Sequence, residues 1–207
     1  MRAHEGVSSV AEASAPVETE RVPVEAGFWI IILGDLSFFA AMFIAFVLGR
    51  HEDAASYALY TESAKSLHTG SGLLNTIVLL SSSYLVARAV VMLRDGDEQR
   101  GRQNLMMGAA LGAVFIALKV IEYARLLGDG YGVTSSDFHA YYFTFTGVHL
   151  LHVVIGVLLM GYLIHASRPE RAAGERPALI FHEGVAIYWH MVDMLWLFLF
   201  SLFYLIA

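Results

Sequence analysis

Polar residues along this chain fall in short clusters, and long uninterrupted apolar runs lie between them, without the one-face periodicity of a water-soluble helical domain. Five of the runs are long enough to cross a bilayer core of about 30 Å as helices, which takes roughly 20 residues each. They lie at about 27–49, 69–93, 103–127, 140–165 and 179–206. Each is mostly Leu, Ile, Val, Phe, Ala and Gly, and the gaps hold most of the charges. The pattern predicts an all-α, polytopic membrane protein with five transmembrane helices. Short connections imply that consecutive helices pack as antiparallel neighbours. Gly108 and Gly112, then Gly147, Gly156 and Gly161, are expected where helices approach closely.

Composition agrees with that picture: of 207 residues, 57% are hydrophobic and 15% charged. Residues 1–26 are polar, rich in Ala, Glu and Val, and carry Pro16 and Pro23, so they read as a disordered cytoplasmic tail. Residues 27–207 then form a single transmembrane domain. The tail does not read as a signal peptide, because no basic segment leads directly into a short apolar core. A net charge of −6 gives no reason to expect a nucleic-acid partner. The chain has no cysteine, which excludes disulfides, thiolate-held iron–sulfur clusters and cysteine-bridged copper.

Basic residues set the expected orientation. Arg2, Arg21, Arg94, Arg100, Arg102, Arg168, Arg171 and Arg176 lie on the side of the N-terminus, against Arg50 and Lys65 on the other. The N-terminus is therefore expected in the cytoplasm and the C-terminus outside.

Ionisable and amide groups within a span are functional candidates, because each is costly to leave unpaired in lipid. They are Asp35, Asn75, Lys119 with Glu122, His149 with His152, and Glu183, His190 and Asp193. Lys119 and Glu122 stand one turn apart and can neutralise each other. His149 and His152 share a helix face, as do His190 and Asp193, with Glu183 two turns earlier. Two histidines and several carboxylates on facing helices are the raw material of a metal site. However, the chain lacks the His-rich boxes of membrane di-iron enzymes, such as H-x-x-H-H, and three of its nine histidines (His4, His51 and His68) fall in the tail or at the first loop. No metal is expected, and these groups read instead as hydrogen-bonded links between helices. Aromatics gather at "AYYFTF" and in the last span, where Trp189 and Trp196 share with Asp193 a face expected to be buried, and Tyr188 is a further packing aromatic.

The last span, "EGVAIYWHMVDMLWLFLFSLFYL", resembles the closing signature of cytochrome c oxidase subunit III, a Tyr-Trp-His-x-Val-Asp-x-x-Trp-Leu pattern. Other segments agree in order: "GDLSFFAAMFIAF" with the family's acid-containing helix, "LLNTIVLLSSSYLV" with its Leu-Asn-Thr segment, "ALKVIEYARLL" with its Glu-Tyr helix end, and "TGVHLLHVVIG" with its Gly-x-His-x-x-His helix. The likeness covers residues 27 to 206 and lacks the N-terminal helix pair of seven-span members. It implies a non-catalytic subunit that packs against subunit I, with subunit II beside it, in a bacterial plasma membrane, holds phospholipid and supports proton uptake. Haem and copper would then belong to the partner subunits, with no cofactor in this chain.

In that family the acid of the first matched helix is a membrane-embedded carboxylate, reactive to carbodiimide, facing a lipid-holding cleft. Asp35 stands in its place, shorter than the usual Glu by one methylene. It lies about 9 residues into the span, roughly 12 Å deep at 1.5 Å per residue. Its near neighbours Leu33, Leu36, Phe38 and Phe39 offer no cation, so it is expected to face a cleft in protonated form. One branch of the superfamily accompanies nitric oxide reductases, and Asp35, "KVIEYARLL" and "SSDFHAYYFTFTGVHLLH" look closer to it. The oxidase reading is kept first and that accessory role second. A stand-alone membrane metalloenzyme or transporter is the third reading, disfavoured by the lack of inverted repeats and paired broken helices.

Overall fold

Uninterrupted Leu, Ile, Val, Phe and Ala leave the backbone no better partner than itself once water is excluded, so every apolar run becomes a helix. The computed structural model describes residues 24–52, 54–168 and 177–205. Six helices are found among them: α1 (Val24–Arg50), α2 (Ala54–Ala64), α3 (Thr69–Arg94), α4 (Glu98–Gly128), α5 (Asp137–Ala166) and α6 (Leu179–Tyr204). All but α2 are long and apolar enough to cross a membrane. The protein is all-α and multi-pass, as the hydrophobic pattern predicts. Residues 1–23 of the expected tail, and its Arg2 and Arg21, lie outside the described residues, as do Arg171, Arg176 and Ala207. The first helix nevertheless starts at Val24, three residues earlier than expected.

The loop turns have local causes. After α3, Gly96 takes φ +82°. Its N–H bonds the Leu93 carbonyl while that of Asp97 reaches back to Met92, which closes the helix with a left-handed residue that only Gly adopts cheaply. Gly130, at φ +86°, ends α4 in the same way through Leu127 and Leu126. Asp97 and Ser136 then cap α4 and α5, accepting from the backbone N–H groups of Arg100 and His139.

Helices α3, α4, α5 and α6 pack as a four-helix ring, each consecutive pair antiparallel and α6 returning to α3. Helix α1 departs from the expected neighbour order. It rests on α5 and α6 instead of α3, and the connection containing α2 gives it the length to do so. Its inward stripe is Ile32, Asp35, Phe39, Phe43 and Phe46, spaced three or four residues apart. The opposite face, including Ile30, Ile31, Leu33 and Leu48, is open to lipid or a partner. Phe46 carries most of the docking, with rings of Tyr60, Phe138, Tyr141, Phe145 and Phe203 around it. Short α2 went unrecognised in the sequence because eleven residues of mixed polarity carry no span signal. Tyr60 from α2 sits in that ring cluster, while Arg50 lies over the Tyr57 ring at 4.6 Å and reaches Thr61.

Trp189 marks where the ring is tightest. A Cβ at Gly112 on α4 would come within 2.7 Å of its indole, and one at Gly156 on α5 within 2.6 Å. Those two glycines, and Gly108 against Val86, serve the close approach expected of them. Gly161 meets nothing within 4 Å, and Gly147 only the Tyr123 hydroxyl at 3.9 Å. Neither is needed for packing among the described residues.

Candidate functional site

The expected polar residues do not form one continuous face. They divide into separate groups, because residues three apart on one helix diverge by some 60° and meet different neighbours.

On α1, the stripe position of Asp35 turns its carboxylate toward α5, where His152 Nε2 lies 3.4 Å away. Asp35 therefore has the partner that its sequence neighbours did not offer, supplied from the middle of another helix. Two contacts fix the His152 ring. Its Nδ1 is 2.8 Å from the Val148 carbonyl, which favours a proton on that nitrogen and leaves Nε2 toward Asp35. Phe39, one turn along α1 from Asp35, packs edge-on against it at 5.8 Å. From α6, Tyr188 donates to the His152 carbonyl at 3.2 Å, tying the third helix to the pair. The Asp35 side chain stays 27% exposed, at the outer surface of the bundle.

On α4, Lys119 and Glu122 do pair across one turn, at 3.3 Å, and Lys119 is fully buried. The pair is caged by two residues the sequence reading did not single out. Lys119 donates to the hydroxyls of Tyr142 on α5, at 2.9 Å, and Tyr204 on α6, at 3.0 Å. Both hydroxyls in turn donate to Glu122 Oε1. Rings of Tyr123, Tyr142, Trp196 and Tyr204 stand 5.0 to 5.6 Å from the ammonium, an arrangement that offers cation–π attraction on several sides. Three helices are joined here by one charge pair. Tyr142 and Tyr204 were visible only as members of aromatic clusters, and nothing local marks their hydroxyls as turned to a lysine on another helix.

The last span makes the remaining links. His190 Nδ1 meets the Ser83 hydroxyl of α3 at 2.6 Å, whereas Asp193 Oδ1 is buried without a hydrogen-bond partner among the described residues. Trp196 donates to Thr76 at 3.0 Å. Glu183 lies apart from these groups, near the start of α6, where Arg94 from the end of α3 reaches it at 2.9 Å. Tyr188, Trp189 and Trp196 are all buried.

Two expected links are not made. His149 leaves α5 on a different side from His152 and is enclosed by Phe115, edge-on, and by Trp196, tilted 32° to it, and neither ring nitrogen has a hydrogen-bond partner among the described residues. The Asn75 amide is likewise buried without one. The pairing of His149 and His152 as a ligand set fails for the same geometric reason. Among the described residues, no group of three or more His, Cys, Asp or Glu is placed to hold a metal ion.

The model of a known family matches residues 13–207, and its description is cytochrome c oxidase subunit III. The chain belongs to the cytochrome c oxidase subunit III family. Curated relatives match most of its length. A cytochrome c oxidase subunit 3 of Thermostichus vulcanus is 32% identical over 187 residues, covering 87% of this chain and 86% of its own. A cytochrome bo(3) ubiquinol oxidase subunit 3 of Pseudomonas aeruginosa is 27% identical over 182 residues, covering 87% and 84%. A heme-copper oxidase subunit I+III of Aeropyrum pernix is 27% identical over 185 residues, which take up 88% of this chain and 23% of that longer one. Within this subunit III chain, Asp35 and His152 come from the acid-containing and two-histidine helices, so the structure brings together two segments on which the sequence likeness rested.

Proposed function

We propose that this chain is the non-catalytic subunit III of a respiratory haem–copper oxidase in a bacterial plasma membrane, working in aerobic electron transport. The carrying observation is the family match across the whole membrane portion, with relatives named as subunit 3 of both cytochrome c and quinol oxidases. The polar geometry supports it, since the ionisable groups inside the bundle are mostly spent on one another. Subunit I, with subunit II beside it, is the proposed partner and carries the haem and copper. The lipid-open face of α1 supports phospholipid binding. In this reading Asp35 is the proton-uptake carboxylate, set at the surface of the bundle with His152 as its exchange partner. The N-terminus is cytoplasmic, following the distribution of basic residues eight to two.

Purification in mild detergent with an optical spectrum tests the assignment. Haem absorbance should accompany the chain through its partner subunits and be absent from the chain alone. Haem or stoichiometric metal on the isolated, chelator-washed chain would overturn the non-catalytic role. The second reading, an accessory protein of nitric oxide reductase, rests on Asp35 in place of Glu, and a co-purifying nitric oxide reductase pair would establish it instead. A reporter at the C-terminus that is active only in the cytoplasm would reverse the orientation.

A further inference from the structure

Between the start of α3 and the last two turns of α4 lies a cavity of about 140 Å³. Its mouth is formed by His68 and Arg125, both exposed, and its wall carries Ser71 and Glu122. Asn75 lines it too, 1% exposed, with amide oxygen and nitrogen both lacking a hydrogen-bond partner among the described residues. A buried amide with nothing to bond is rare, and its usual explanation is an ordered water. The volume has room for about four waters at roughly 30 Å³ each, and Ser71, Asn75 and Glu122 offer them polar partners on an otherwise largely apolar wall. Asn75 and Glu122 each stand six residues inside their helix ends, Thr69 and Gly128, or roughly 9 Å deep at 1.5 Å per residue. Water reaches that depth by a short path.

We propose that this cavity holds a cluster of ordered waters, bonded to Asn75 and Glu122 and continuous with the aqueous phase on the α2 side of the membrane. The cluster hydrates the ion pair from its Glu122 side only. Lys119 and the two tyrosine hydroxyls lie behind Glu122, so their labile protons exchange with bulk solvent through the carboxylate and the waters, one proton in for each one out. This route is distinct from Asp35 and His152 and does not depend on the oxidase reading. It gives the bundle a second, separately wetted carboxylate.

X-ray radiolytic footprinting of the full chain in native membranes tests the proposal, because hydroxyl radicals made from bound water oxidise the side chains beside it. Leu67 and Leu126 line the cavity yet are buried, at 7% and 3% exposure. They should oxidise severalfold faster than Leu79 and Leu199, which are fully buried and line no part of it. Asn75→Leu should bring the two rates together by displacing the waters. Equal rates in the unmodified protein would show a dry or lipid-filled cavity and overturn the proposal, whether or not the variant folds. Fast oxidation that persists in a folded Asn75→Leu would remove Asn75 from the site and overturn its role.

Discussion

Lys119 and Asp35 are both charged residues set in apolar helices, and the fold treats them in opposite ways. Lys119 is closed off completely: a carboxylate one turn away, two tyrosine hydroxyls and four aromatic rings surround it, drawn from α4, α5 and α6. Asp35 lies nearer the middle of its helix, roughly 16 Å from Val24 at 1.5 Å per residue. Its ion-pair partner among the described residues is His152, and it keeps a quarter of its side chain open. The deeper group is thus the less protected one. An enclosed charge must be fully paired, since removing one partner strands the other in a medium that cannot solvate it. A carboxylate at the bundle surface can lose its proton partner and still reach a lipid headgroup, a water or another subunit. The first arrangement holds three helices together, and the second leaves a carboxylate open to partners outside the bundle.

That contrast breaks or sharpens in a definite order. The largest effect belongs to Glu122→Ala, which leaves Lys119 buried and uncompensated and should cost about 3–5 kcal/mol. Thermal denaturation of the purified chain and its recovery from membranes would measure it, and an unchanged midpoint would dissolve the distinction between the two sites. Tyr204→Phe comes next, at about 1.5–3 kcal/mol, because it removes one hydroxyl bonded to both charges while Tyr142 remains. Asp35→Asn should change stability by less than about 1 kcal/mol, because the near-isosteric amide keeps a hydrogen-bonding group beside His152. Its effect should appear as slower proton-coupled turnover of the assembled complex and as lost labelling by a hydrophobic carbodiimide. Failure of Asp35→Asn to assemble would make Asp35 a structural ion-pair member like Lys119, and the comparison would collapse.

The smallest effect is set by pH. Burial, then Tyr141 and the carboxylates of Asp137 and Glu52, push the Tyr60 hydroxyl of α2 up to about 12 from an ordinary 10. The folded state therefore favours the neutral phenol. Its contribution is fully present below pH 10 and is lost as pH rises through about 12. Alkali should loosen α2 in that window, seen as faster proteolysis after Ala64, and Tyr60→Phe should abolish the dependence. The α2–α3 turn, through Ser66 and His68, borders the cavity beside Glu122. Alkaline loosening should thus reach the Lys119 site before the Asp35 site.

Hydrophobic pattern alone located the five spans, because only unbroken helices satisfy the backbone in lipid, and the ends moved by just a few residues. The Lys119–Glu122 pair was also legible, being local: one turn of one helix brings the two groups together whatever surrounds them. The Trp189 contact was half legible, as small residues recur on α4 and α5, yet which glycines receive the indole depends on how the helices are rotated. Gly112 and Gly156 do, and Gly161 does not. Everything else about the polar groups waited for the tertiary structure. Apolar periodicity says nothing about helix order, so it could not reveal that α1 passes over α3 to lie on α5 and α6. From that crossing alone comes the meeting of Asp35 with His152, 117 positions later in the chain. Tyr142 and Tyr204 reach Lys119 for the same reason, across three helices whose rotations are fixed by side-chain packing. Sequence determined which groups had to find partners inside the membrane, because desolvation is a property of each residue in its span. Packing decided which partners they found, because a side chain's neighbour across a helix interface is set by rotation and crossing, and neither is written in any single segment.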